Sequence, residues 1–102
     1  MRSCTTAELA QKLAAGDARV IDVREVDEFA AGHVPEALNR PLSNLTESFL
    51  AGDALSDLTD GDFLICQSGN RSARACEMLA TRGIDAINVT GGMLSWQGDI
   101  AR

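Results

Sequence analysis

The chain reads as a single α/β domain spanning residues 1–102, with a parallel sheet of four or five short strands and helices on both faces. Two observations predict this. Short apolar runs, Arg19-Val20-Ile21-Asp22-Val23 and Phe63-Leu64-Ile65 foremost, are each followed within a few residues by a helical pattern. Strands that alternate with helices at this spacing require right-handed crossovers between parallel neighbours. The length of 102 residues also suits one hydrophobic core and leaves no material for a second.

In chain order, Thr5-Thr6-Ala7-Glu8 has the form of a capping box, and Leu9 and Leu13 share one face of a helix expected over Thr6 to Ala15. Cys4, just before it, reads as a packing residue or exposed thiol. The β-branched run from Arg19 to Val23 is a buried strand. Glu25, Asp27 and Glu28 then crowd the first turn of a second helix, where carboxylates favour the macrodipole, and Phe29 turns inward. Asp22, Arg24 and Glu28 are expected to form a structural charge network at the strand end that holds the neighbouring loop in place without itself reacting. Gly32-His33-Val34-Pro35 ends the helix and turns the chain into a short edge strand, Ala37-Leu38-Asn39. His33, the only histidine, reads as a packed residue bonded to backbone rather than as a general base.

Ser43 is the expected N-cap of a third helix carrying the stripe Leu45, Phe49 and Leu50. After the strand Phe63-Leu64-Ile65, a helix beginning near Ser72 places Ala75, Met78 and Leu79 on one face and stops at Gly83. Met78 and Cys76 read as core filling. Ile84 to Val89 alternates like a final strand, and Gly91-Gly92 permits a sharp turn into a last helix bearing Leu94 and Trp96.

Composition narrows the function classes. A hydrophobic fraction of 45% and a charged fraction of 24% describe a chain that folds. The net charge is −6, with only Lys12 and eight arginines for basic side chains, which disfavours nucleic acid as a partner. No apolar run approaches the ~18 residues of a membrane span. Cys4, Cys66 and Cys76 match neither a disulfide framework nor a zinc motif, so free thiols in a reducing cytoplasm are expected, with no metal and no cofactor.

The chemistry is concentrated in Cys66-Gln67-Ser68-Gly69-Asn70-Arg71, a polar loop between a strand and a helix. At such a bend the backbone N–H groups turn inward and the helix N-terminus adds partial positive charge, so an anion is stabilised. A thiolate is such an anion, and the same field raises the thiolate fraction. Gly69 permits positive φ, and Arg71 supplies a fixed charge with several donors. The six residues therefore describe an anion cradle around a nucleophilic sulfur, with Cys66 and Arg71 as candidate catalytic residues and Gln67, Ser68, Gly69, Asn70 and Arg71 as candidate substrate-binding residues.

This loop resembles the active-site loop of rhodanese-type sulfurtransferases, in which a Cys opens a six-residue loop closed by Arg. Val20-Ile21-Asp22-Val23-Arg24, then Glu28-Phe29, Gly32-His33-Val34-Pro35 and Ala37-Leu38-Asn39 resemble the family's N-terminal signature, and Gly91-Gly92-Met93 with Trp96 its C-terminal one. Glu36 stands where the family commonly has glycine. The resemblance implies a persulfide relay. Cys66 takes the outer sulfur of thiosulfate or a similar small anionic donor and passes it to a thiol, cyanide or a protein acceptor. It also implies that the acidic stretch from Asp53 to Gly61 flanks the loop. Two other readings stand beside it. In Cys-dependent phosphatases and arsenate reductases five residues separate Cys from Arg, against four here, and the smaller ring leaves less room for a phosphoryl group. A non-enzymatic module could instead present Cys66 to one partner.

Overall fold

The computed structural model describes residues 1–102. Ten elements alternate along the chain: β1 (Arg2–Cys4), α1 (Thr6–Ala14), β2 (Val20–Asp22), α2 (Val26–Ala31), β3 (Leu38–Asn39), α3 (Leu42–Leu50), β4 (Phe63–Ile65), α4 (Asn70–Thr81), β5 (Ile87–Val89) and α5 (Gly92–Ser95). The five strands form one sheet in the order β1-β5-β4-β2-β3, and every pairing between them is parallel. All strand carboxyl ends therefore share one edge, with β4 at the centre.

Period-two alternation divides the core between the two faces of the sheet. Ile21, Leu64 and Cys66 point to the side covered by α3 and α4, where Leu45, Ala75 and Leu79 meet them. Val20, Phe63 and Ile65 point to the other side, against Leu9 of α1, with Phe29, Met93 and Trp96 at its margin. Because both faces are covered, β2, β4 and β5 are buried at every position.

The capping box of α1 is present in both directions. Thr5 Oγ1 accepts from the Glu8 N–H at 3.1 Å, and Glu8 accepts from the Thr5 N–H at 2.9 Å. Several expectations are revised. The segment before α1 is a strand, β1, whose exposed and half-exposed side chains leave no apolar signal; its partner β5 comes 80-odd residues later. Pro41, not Ser43, is the N-cap of α3, while Ser43 Oγ donates to Glu25 across to α2. The last strand covers only Ile87–Val89, and Ile84 packs instead against the core beneath α4. Helix α4 starts at Asn70, two residues earlier than the apolar spacing suggests, which draws Arg71 into its first turn. Trp96 lies just past α5 as its C-cap.

The turn containing Glu36 closes with the Ala37 N–H donating to the Val34 carbonyl at 2.9 Å, and no residue other than glycine takes positive φ. A side chain is thus tolerated where the family commonly has none. The stretch from Asp53 to Gly61 is anchored by Leu55 and Leu58, which are buried in the α3–α4 side of the core. Its end bonds to Asp85, just before β5, and the Asp53 carbonyl is held by Arg82 beyond the C-terminus of α4. Those contacts place its ends at the sheet edge opposite the Cys66 loop, so they do not flank it.

Candidate active site

Cys66 follows directly on the central strand, at the sheet edge where parallel α/β folds hold ligands. Helix α5 orients the loop after it. The Met93 N–H donates to the Cys66 carbonyl at 2.8 Å and the Leu94 N–H to the Gln67 carbonyl at 3.0 Å. With those carbonyls drawn outward, the amides further along the loop face the sulfur. Gly92 makes the approach possible, since its φ is +54° and a Cβ there would sit 2.3 Å from the Cys66 carbonyl oxygen. Gly69 is the N-cap of α4 at φ 101°, and a Cβ there would lie 3.3 Å from the Gly91 nitrogen.

Cys66 Sγ accepts from the Gly69 N–H at 3.1 Å and from the Ser72 N–H at 3.3 Å, and Ser72 Oγ lies 3.3 Å away. The side chain has no solvent-exposed surface. Burial alone pushes its pKa up, but the Ser72 hydroxyl and the backbone N–H groups of Ser72, Gly69 and Ser68 outweigh it, and the net shift is below the ordinary thiol value. Cys76 provides the contrast. It too is buried, on α4, but burial there is unopposed by such donors and the charges of Asp85 and Glu77 add to it, so its thiol is pushed up to about 12. Burial also raises the Cys4 thiol, with Glu8 contributing. One of three cysteines is therefore placed to ionise.

Arg71 is engaged by a carboxylate. Its Nη1 and Nη2 donate to Glu28 Oε1 and Oε2 at 2.7 and 2.9 Å, a bidentate pair with both side chains about one-third exposed. Hydrogen bonding to Arg71 outweighs burial and holds the Glu28 carboxyl down at about 2. This divides the expected network, whose hold on the neighbouring loop falls to Glu28. Asp22 and Arg24 do form a buried pair, in which Arg24 Nη2 donates to Asp22 at 2.9 Å and to the Gly32 carbonyl at 2.7 Å. Glu28, however, faces the loop and fixes its closing arginine, because α2 packs beside the strand ends with its first turn toward α4.

The remaining candidates divide. Gly69 N–H reaches the sulfur directly, and Ser68 contributes its backbone N–H to the lowered thiol pKa. Gln67 is half-buried with its carbonyl tied to α5, while the side chains of Ser68 and Asn70 face solvent. His33 donates from Nδ1 to the Phe29 carbonyl at 2.7 Å and stacks on the Phe29 ring, matching its reading as a packed residue. Two contributors were missed by the sequence reading. Ser72 and Asn88 are buried and bonded to each other, Ser72 Oγ to Asn88 Oδ1 at 2.5 Å. A polar residue in the otherwise apolar strand Ile87-Asn88-Val89 was the available signal.

Comparison with known proteins agrees with this geometry. The family model described as rhodanese-like domain matches residues 5–99. "Putative sulfurtransferase YtwF" of Bacillus subtilis is 34% identical over 101 residues, covering 97% of this chain and 93% of that protein. A rhodanese-like domain protein from Staphylococcus aureus superposes with a TM-score of 0.82 at 34% identity, over 97% of this chain and 94% of the other. The human single-domain sulfurtransferase TSTD1 superposes with a TM-score of 0.77 at 32% identity, over 94% and 95% of the two chains. Some other relatives are longer, and the chain spans 41% to 48% of their length.

Proposed function

Because the chain belongs to the rhodanese-like family, we propose that it is a sulfurtransferase whose Cys66 carries the transferred sulfur as a persulfide. The Cys66 thiolate attacks the outer sulfur of thiosulfate or a similar small anionic donor. A bond forms between Sγ and that sulfur, the bond to the sulfonate sulfur breaks, and sulfite leaves with the electron pair. A thiol, cyanide or a protein acceptor then attacks the terminal sulfur and returns Cys66 as the thiolate. Charge is conserved in the loading step, and no proton transfer to the leaving group is needed, so the engagement of His33 with Phe29 is no obstacle.

The observation that carries this reading is the set of polar groups converging on one sulfur, the Gly69 and Ser72 amides as donors and the Ser72 hydroxyl oxygen 3.3 Å away, inside an otherwise apolar core. They stabilise the thiolate there; in the persulfide the charge moves one bond outward to the terminal sulfur, where the other loop amides are its partners. The backbone of Gln67 through Arg71 forms the anion hole, and Arg71, oriented by Glu28, directs its remaining N–H groups to the donor's sulfonate. The four-residue spacing between Cys66 and Arg71 supports sulfur over phosphoryl transfer. No helix is long and apolar enough to cross a membrane; a reducing, cytoplasmic setting for the three cysteines belongs to the same proposal.

Intact-mass measurement after incubation with thiosulfate tests the proposal. The expected result is a gain of one sulfur atom on Cys66, absent in Cys66→Ser and retained in Cys4→Ser and Cys76→Ala. Full thiocyanate production by Cys66→Ser would rule the mechanism out.

A further inference from the structure

A hydroxyl group has one hydrogen to donate, and Ser72 faces two acceptors. Its Oγ lies 3.3 Å from Cys66 Sγ and 2.5 Å from Asn88 Oδ1, with all three residues buried. While the sulfur is a thiol, every donor is used: the Cys66 S–H donates to Ser72 Oγ, and the Ser72 O–H donates to Asn88. Ionisation ends that arrangement. The sulfur becomes an acceptor, and the Ser72 proton can satisfy it or Asn88, not both.

Rotating the Asn88 carboxamide end for end would let Nδ2 donate to Ser72 and free the hydroxyl for the sulfur. Nδ2 is already engaged, donating to the Gly69 carbonyl at 3.3 Å. Rotation would set two carbonyl oxygens against each other at that position, inside a buried site. Gly69, the same residue whose N–H reaches the sulfur, thus keeps Asn88 turned as an acceptor.

The geometry points to Asn88 as a positioning residue that acts on Cys66 through Ser72: its Oδ1 competes with the sulfur for the single Ser72 hydroxyl proton and so governs how readily the thiolate forms. The main-chain donors favour ionisation, and Asn88 restrains it. Restraint has a chemical use, because the nucleophilicity of a thiolate falls as its pKa falls. The same competition persists after loading, since the inner sulfur of a persulfide carries no hydrogen.

The charged groups around the sulfur are few. On α4 there is Arg71, neutralised by Glu28 of α2, and beside β4 lies Asp22 of β2, paired with Arg24. Cys76 of α4 remains protonated up to about 12. Strand β5 and helix α5 carry no titratable side chain, and Glu25, N-cap of α2, bonds to Ser43. None of these touches Asn88 by hydrogen bond, so replacing Asn88 leaves them in place.

The test is a pH titration of thiolate ultraviolet absorbance, taken as the difference from Cys66→Ser. Asn88→Leu removes the competing acceptor at similar volume and is expected to lower the Cys66 midpoint by about one pH unit, the difference between a hydrogen bond to a charged and to a neutral partner. In a Ser72→Ala background the same substitution is expected to produce no shift. Should leucine prevent folding, Asn88→Val, smaller and suited to a strand, is read in the same way. An unchanged or raised midpoint, or an equal fall without the Ser72 hydroxyl, overturns the proposal. It rests on Cys66 as the reacting sulfur, but the titration reads the thiol itself. Failure of sulfur loading in the native chain would sink the functional reading alone.

Discussion

Replacing Glu28 by glutamine keeps the shape of the side chain and removes the charge that holds Arg71. The Glu28 carboxyl is lowered from an ordinary 4.5 to about 2, which taken at face value is on the order of 3 kcal/mol. Both side chains are about one-third exposed, so solvent screening reduces the net worth of the pair to about 1 kcal/mol. The pH window follows from the direction of the shift. A carboxyl lowered in the folded state contributes fully above its unfolded value near 4.5, and the contribution disappears as pH falls through about 2. Urea unfolding at neutral pH should therefore show Glu28→Gln to be less stable than the native chain by about 1 kcal/mol, a fall in Tm of roughly 4–8 °C for a domain of this size. The gap should close as pH falls from 4.5 toward 2. An equal gap at pH 7 and pH 2 would refute the electrostatic reasoning and leave lost packing as the cause. In sulfur transfer, the freed Arg71 no longer points at the sulfonate, and a KM for thiosulfate several-fold higher is expected.

Arg71→Ala removes the sulfonate partner itself and should raise KM for thiosulfate by at least as much, while urea unfolding shifts by only about 1 kcal/mol; an unchanged KM would make Arg71 a helix-start residue. Gly92→Ala forces a Cβ against the Cys66 carbonyl in left-handed backbone and should cost about 3 kcal/mol, measured by thermal unfolding, with the Cys66 thiol titrating higher as the loop shifts. Asp22→Asn leaves the Arg24 guanidinium buried without its counter-charge and should cost about 3–5 kcal/mol in urea unfolding.

Most of the architecture was legible because the signals were local. Phe63-Leu64-Ile65 is apolar at three consecutive positions, which suits a strand covered on both faces. Thr5 and Glu8 carry their helix start within four residues. β1 was not legible, because its three residues show no burial pattern and their pairing with β5 depends on chain distant in sequence. Ser43 misled for a related reason: an N-cap is the usual local use of a serine before an amphipathic run, but here a hydrogen bond to Glu25 on another helix takes the hydroxyl.

By itself the order of residues determined that a cysteine follows an apolar strand, that a glycine three residues later lets the loop bend back, and that an arginine closes it. Those properties depend on spacing and backbone conformation within six residues. Only the tertiary structure decided what the sulfur and the arginine touch. α5 draws the Cys66 and Gln67 carbonyls outward, Asn88 of β5 shares the Ser72 proton, and α2 supplies the carboxylate that fixes Arg71. Each of those partners lies 16 or more residues from the group it acts on. Hydrogen bonds and charge pairs act over a few ångströms, so only the packing of the sheet and its helices brings such partners together.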